Sequence, residues 1–287
     1  MYYFWIYFFK IISISSSNVD ILTSSSIFGN VSQFFMNISN DLLLNYLYLF
    51  LIGIAVGFMN VIAGGGSVFV LPFLIFMGLD TTTANGTNRL GVMMQTYSAV
   101  ATYKKDFLEE YKISWQMSLL TIPGAIAGAL LALNTSNEMF EIILGVIMIF
   151  VVINMVFTLN IKQTQNEINK LPKLMYFYML LIGFYGGFIQ VGIGFILMFV
   201  VSKVLHKNLV KTNFHKSFIV LIYTVPSFLI FVFNGNIDWV LGIILGIGSS
   251  IGSFLAVKSS LKNGEKIIKP IMIISILIIV AKLFKLF

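Results

Sequence analysis

Residues 42–66 read LLLNYLYLFLIGIAVGFMNVIAGGG, an apolar run long enough to cross a bilayer that ends in three consecutive glycines. A hydrocarbon layer about 30 Å thick needs roughly 20 residues of helix, and the run from 42 to 63 supplies them. Glycine lies about 1 kcal/mol below alanine in helix preference, so Gly64, Gly65 and Gly66 together predict a break before the next run, which contains Pro72. Broken backbone exposes N–H and C=O groups, which a membrane accommodates only where protein buries them or a watery cavity receives them. A helix starting after Gly66 would aim its positive end at such a cavity, where an anion is stabilised by the dipole and by N–H donors.

Further apolar runs follow at 67–78, 84–103, 113–133 and 138–159, and then at 174–192, 194–205, 212–233, 238–257 and 267–287. The order long, short, long, long, long therefore occurs twice, on either side of the polar linker 160–173. Local echoes support a duplication: Gly57-Phe58 followed by the glycine triplet returns as Gly187-Phe188 followed by Gly192 and Gly194, and Arg89 corresponds to Lys216. Paired interruptions in matching positions of two halves are the best sequence pointer to a transport site.

Hydrophobic residues make up 58% of the chain and charged residues 10%, with a mean hydropathy of +0.95. That composition cannot cover the surface of a soluble domain. The net charge of +7 is not a nucleic-acid signature, because the lysines are scattered through short connections instead of forming a stripe. Lys104, Lys105 and Lys112, then Lys162, Lys170 and Lys173, then Lys203, Lys207 and Lys211, then Lys258, Lys262, Lys266 and Lys269 mark four cytoplasmic connections, whereas 79–83, 134–137 and 234–237 carry no Lys or Arg and lie outside. These sides agree only if each long–short pair returns to the face it left, as two crossings or as a re-entrant hairpin. Three single crossings then follow in each half, which turns the second half upside down relative to the first.

The expected fold is thus all-α: a polytopic transmembrane helical bundle of two inverted repeats, each a broken helix pair plus three transmembrane helices. The first repeat spans 42–159 and the second 174–287, joined by a cytoplasmic linker at 160–173. Residues 1–41 form an N-terminal extension that is signal-like or lies upstream of the natural start, for which Met36 is well placed.

Asn85-Gly86-Thr87-Asn88-Arg89 carries the second signal, because Arg89 is the single arginine among 18 basic residues. A guanidinium grips an oxyanion with two parallel hydrogen bonds, which lysine cannot reproduce, and a charge within an apolar run costs about 2.5–3.5 kcal/mol at full depth. Snorkelling to the headgroups is the plain alternative. Lys216 and His215 are the counterparts in the second half, approaching from the opposite face, with an anchoring role for Lys216 equally open. None of the 11 acidic residues sits mid-run, Glu141 and Asp238 lying near ends; a cation carrier would place one there. The glycine pairs Gly124/Gly128, Gly242/Gly246 and Gly248/Gly252 have the small-residue spacing of close helix contact, while Gln95 and Gln190 could face a pore or a neighbouring helix.

The chain resembles the TauE/SafE family of sulfite exporters and toluene sulfonate uptake permeases over residues 42–287. The likeness is most specific at Gly57–Pro72 and at Gly86-Thr87-Asn88-Arg89, where the family commonly shows Gly-Thr-Asn-Lys, and extends to Tyr185-Gly186-Gly187-Phe188 and Asn234-Gly235-Asn236-Ile237-Asp238-Trp239. It departs from the family at Arg89, at Gln190 where the family has a glycine, and at Ile219 where a polar residue is common. The resemblance implies a multi-pass permease of the bacterial cytoplasmic membrane for sulfite, a sulfonate or a similar small anion.

The expected function is anion transport by alternating access, with a passive anion channel or a scaffold without transport activity as rivals. The expected substrate contacts are Gly64, Gly65, Gly66, Thr87, Asn88, Arg89, Gln190, Gly192, Gly194, His215 and Lys216. Absence of cysteine, of clustered histidines and of paired buried carboxylates argues against an enzyme, a metal site or a cofactor. The partners expected are the substrate anion and the lipid bilayer, and no nucleic acid.

Overall fold

The apolar runs that the structure describes are helices, interrupted where the sequence places glycine. In the computed structural model, which describes residues 42–103, 107–140, 142–144, 146–147 and 171–264, the order is α1 (Leu42–Ile62), α2 (Ser67–Phe76), α3 (Thr81–Tyr103), a 3-10 turn at Leu108–Glu110, α4 (Tyr111–Leu133), α5 (Lys173–Phe188), α6 (Ile193–Leu205), α7 (Leu209–Phe233) and α8 (Trp239–Asn263). Residues 137–140, 142–144 and 146–147 are also helical. The proposed extension 1–41, most of the linker, the end of the fifth run and the run 267–287 lie outside the described residues. Packing is described for the unit Tyr46–Phe287; Leu42–Asn45 belong to the preceding unit.

Three helix starts are fixed by side-chain caps. Asp80 Oδ1 accepts from the N–H groups of Thr82 and Thr83 at 3.0 Å each, so α3 begins at Thr81. Asn208 and Asp238 do the same for α7 and α8, accepting from Lys211 N at 2.8 Å and Leu241 N at 2.9 Å. Each such cap is worth about 1 kcal/mol.

Among the described residues, four segments are long and apolar enough to cross a membrane: Leu42–Ile62, Leu108–Leu133, Leu209–Phe233 and Trp239–Asn263. The chain is a multi-pass membrane protein. Leu119, Ile126, Leu130, Ile243, Ile247 and Ile251 are exposed on α4 and α8, which suits faces solvated by lipid tails. α3 is as long, at 23 residues, yet too polar to register by hydropathy. It is sheathed by α2, α7 and α8, and its Asn85, Thr87, Asn88, Arg89, Gln95 and Thr96 are all buried. Protein, not lipid, solvates this helix, so it need not be apolar.

Close packing uses the small residues singled out in the sequence. Gly124 and Gly128 of α4 lie against the backbone of Leu180–Phe188 in α5, and Gly183 and Gly187 lie in turn against Thr121 and Ala125. The same arrangement joins α8 to α1: Gly248 and Gly252 meet Phe50 and Ile54, while Gly53 and Gly57 meet Leu245 and Ser249. Gly242 and Gly246 instead receive the side chains of Leu90 and Met94, which brings α8 against α3. Without a hydrophobic force between helices in lipid, such backbone-to-backbone contact is what holds them.

Candidate functional site

Both predicted breaks are present. α1 ends at Ile62 and α2 begins at Ser67, with Gly64 at φ +92°; α5 ends at Phe188 and α6 begins at Ile193, with Gln190 at φ +60° and Gly192 at φ +70°. A side chain in this left-handed region is strained by roughly 1–2 kcal/mol, which explains why glycine suits position 190. The two interruptions touch: a Cβ built on Gly64 would fall within the backbone of Gly194, and one built on Gly194 within that of Gly64.

Beside this contact lies a small cavity of about 30 Å³, walled by both polar and apolar residues. Asn60, Gly64, Gln95, Gln190, Gly194 and Lys216 border it, together with Ser67, Thr96 and Ser217 and the apolar Val92, Ile193 and Val220. The first residues of both α2 and α6 are thus on its wall. Asn60 Nδ2 donates to Gln95 Oε1 at 3.1 Å, and Asn60 Oδ1 accepts from Ser67 N at 3.3 Å. Gln190 Nε2 donates to Thr224 Oγ1 at 2.8 Å, leaving its Oε1 without a hydrogen-bond partner. Among the described residues, Lys216 is the one charged residue of the lining.

Two buried cations brace the breaks from opposite halves. Lys216 Nζ donates to the carbonyls of Asn60 at 2.9 Å and Val61 at 2.6 Å, and to Asn213 Oδ1 at 2.7 Å. Arg89 is fully buried and donates to the carbonyls of Gly186 at 3.1 Å, Phe188 at 3.4 Å and Gly187, with Asn85 Oδ1 at 3.5 Å. Its guanidinium also sits over the Phe231 ring, 4.8 Å from the centroid. Each cation therefore occupies the C-terminal end of a broken helix, where unpaired carbonyls and the negative end of the dipole favour positive charge. Full burial rules out snorkelling for Arg89.

Of the residues anticipated as substrate contacts, Gly64, Gln190, Gly194 and Lys216 border the cavity and the others do not. Gly65 receives the Phe195 ring and Gly66 the Val56 carbonyl. Thr87 Oγ1 accepts from Asp238 N at 2.9 Å, Asn88 is buried with its Nδ2 unpartnered, and Gly192 is the left-handed residue before α6. His215 Nδ1 lies 2.7 Å from Ser114 Oγ, and its Nε2 lies 3.2 Å from Glu110 Oε2. Arg89, expected as the principal charge, is engaged with α5 instead of the cavity.

A sequence model of the family described as "Sulfite exporter TauE/SafE" matches residues 49–283. The chain belongs to the TauE/SafE family. Among curated proteins, a "Probable membrane transporter protein ORF9" of Sinorhizobium sp is 27% identical over 232 residues, covering 79% of this chain and 87% of that protein. A "Probable membrane transporter protein" of Haemophilus influenzae is 27% identical over 250 residues, covering 86% and 96%. The "Probable membrane transporter protein YfcA" of Escherichia coli is 26% identical over 241 residues, covering 82% and 88%. No solved structure matches the chain.

In this TauE/SafE chain the sequence reading passed over Asn60, Ser67, Thr96, Ser217 and Glu110. A polar residue within about a turn of a predicted break is the signal that finds Asn60 and Ser67; Thr96 and Ser217 reach the cavity only through folding. Glu110 is an acidic residue in an otherwise basic connection at the head of an apolar run, a pattern that points to a buried partner.

Proposed function

We propose that this TauE/SafE protein is a secondary transporter that carries a small anion, sulfur-containing or similar, by alternating access between two inverted repeats. The observation that carries the reading is the meeting of both helix breaks at a cavity whose lining, among the described residues, has one cation and no carboxylate. A monovalent oxyanion there is offered Lys216, the amides of Asn60, Gln95 and Gln190, and the positive ends of α2 and α6.

The duplication is supported by the exchange of roles between halves. α4 packs on α5 as α8 packs on α1, through glycines in matching register, and Arg89 braces α5 as Lys216 braces α1. The cavity lies against the C-terminal half of α3 and the N-terminal half of α7, the ends adjoining lysine-rich connections. By the positive-inside rule these ends are cytoplasmic, so this conformation opens inward. In the outward state the repeats trade conformations, and Arg89 with Thr87 and Asn88 comes to line the opposite opening.

Purified protein in proteoliposomes tests the reading, with labelled sulfite and a labelled alkanesulfonate as probes. A carrier gives saturable uptake that is accelerated by unlabelled anion on the far side. Uptake linear in concentration, without acceleration, would identify a passive pore; no flux of any anion would defeat the transport assignment.

A further inference from the structure

At the head of α4 a carboxylate is buried among three basic side chains from the other half of the chain. Glu110 Oε1 accepts from Lys207 Nζ at 3.0 Å and lies 3.3 Å from Lys211 Nζ, while Oε2 faces His215 Nε2 at 3.2 Å in an ion-pair contact. On the other edge of the imidazole, Nδ1 lies 2.7 Å from Ser114 Oγ, which is also 3.0 Å from the Glu110 carbonyl oxygen. The Phe214 ring packs beside the imidazole. Among the described residues, these groups, from the 3-10 turn, α4, the α6–α7 connection and α7, are the charged and polar side chains facing His215.

Hydrogen counting makes this arrangement unusual. A serine hydroxyl has one hydrogen and accepts as well as donates. With the Ser114 hydrogen on the Glu110 carbonyl, Oγ can only accept, so Nδ1 must carry a proton; Nε2 makes no hydrogen bond but lies 3.2 Å from the Glu110 carboxylate, whose charge favours a second proton there and an imidazolium ring. With the hydroxyl rotated onto Nδ1, that nitrogen is a bare acceptor and the ring is neutral. One hydroxyl rotation thus satisfies either protonation state with no heavy atom displaced.

The corresponding place in the other half carries no histidine. In the register that superposes Arg89 on Lys216, Asn88 falls on His215 and Asp80 on Lys207; in the register that superposes Gly124 on Gly248, Ser114 falls on Asp238. Next to Asn88, the Thr87 hydroxyl accepts from Asp238 N at 2.9 Å.

We infer that His215, set between Glu110 and Ser114, is the proton-binding site of the transport cycle and that the anion moves together with a proton. The inference rests on the carrier reading above. His215 precedes Lys216 on α7, so an anion held at Lys216 lies within Coulombic range of the imidazole, and each charge favours the other. Proton and anion then enter and leave together. The proton adds to Nδ1 from cytoplasmic water, the Ser114 hydrogen turns to the Glu110 carbonyl, and no covalent bond other than N–H changes.

The chain has two histidines, and the other, His206, has φ +52°, a conformation asparagine tolerates. Full-length His206→Asn protein with ¹⁵N-labelled histidine therefore reports His215 alone by NMR. We expect one titration between about pH 5 and 8, moved upward by saturating methanesulfonate, whose own charge is constant over that range; a ring held in one protonation state throughout would overturn the inference. In proteoliposomes a one-unit pH gradient should drive methanesulfonate accumulation toward about tenfold for one-to-one coupling, and both His215→Gln and Ser114→Ala should lose that response. Saturable flux indifferent to the gradient in the unmodified protein defeats proton coupling and leaves the carrier reading standing, whereas absence of flux defeats both.

Discussion

Replacing Lys216 by Met removes the one charge bordering the cavity while keeping most of the side-chain volume. An anion about 5 Å from the ammonium, at an effective dielectric constant near 20, gains about 3 kcal/mol, which is roughly two orders of magnitude in affinity. The same ammonium holds the carbonyls of Asn60 and Val61, and leaving buried carbonyls unpaired costs about 1–3 kcal/mol of stability. Binding and folding must therefore be read separately. Saturation constants for sulfite and an alkanesulfonate would be measured in proteoliposomes for wild type, Lys216→Met and Lys216→Arg, with thermal unfolding of each purified protein alongside. The expected result is a rise of about 100-fold for Lys216→Met and of less than about tenfold for Lys216→Arg, which keeps the charge. If folded Lys216→Met saturates within about threefold of wild type, the cavity cation does not bind the substrate and the site lies elsewhere.

Gly194→Ala should abolish transport and lower the unfolding temperature, because its Cβ meets Gly64 backbone that has nowhere to shift; overpacking of this kind costs about 1–3 kcal/mol, and flux at the wild-type rate would contradict the role of the contact. Gln190→Gly should be neutral or stabilising by up to about 1 kcal/mol, since relief of the positive φ offsets the lost hydrogen bond to Thr224; a large drop in melting temperature would refute that balance. Asp80→Ala should cost about 1 kcal/mol by uncapping α3. Burial pushes the Asp80 carboxyl up, but hydrogen bonds from Thr83 and Thr82 outweigh it and hold the group below its ordinary 3.8. The cap's contribution is accordingly complete above that value and lost as pH falls through the lowered one. The stability difference between wild type and Asp80→Ala should vanish at strongly acid pH, and a difference that persists there would show that the charge is not the source.

The sequence by itself determined that the chain crosses a membrane in helices, where those helices break and which residues let them pack. These properties are local. Hydropathy over about 20 residues sets a span, the low helix preference of glycine sets a break, and Gly124/Gly128 and Gly248/Gly252 show their spacing in a single line of text. Arg89 was legible as exceptional, since one guanidinium among lysines is visible without coordinates, but its partners were not. Gly186, Gly187 and Phe188 belong to the other half of the chain, and only folding decides that the Arg89 Nη1 and Nη2 groups reach their carbonyls away from the cavity, while Lys216, bonded to Asn60, Val61 and Asn213, borders it. Glu110 and α3 make the same point: a carboxylate in a basic connection becomes the centre of a buried cluster, and a polar helix becomes central, because surrounding helices replace water and lipid as their solvent. Electrostatic and hydrogen-bond partners are settled by distances in space, which spacing along the chain does not encode.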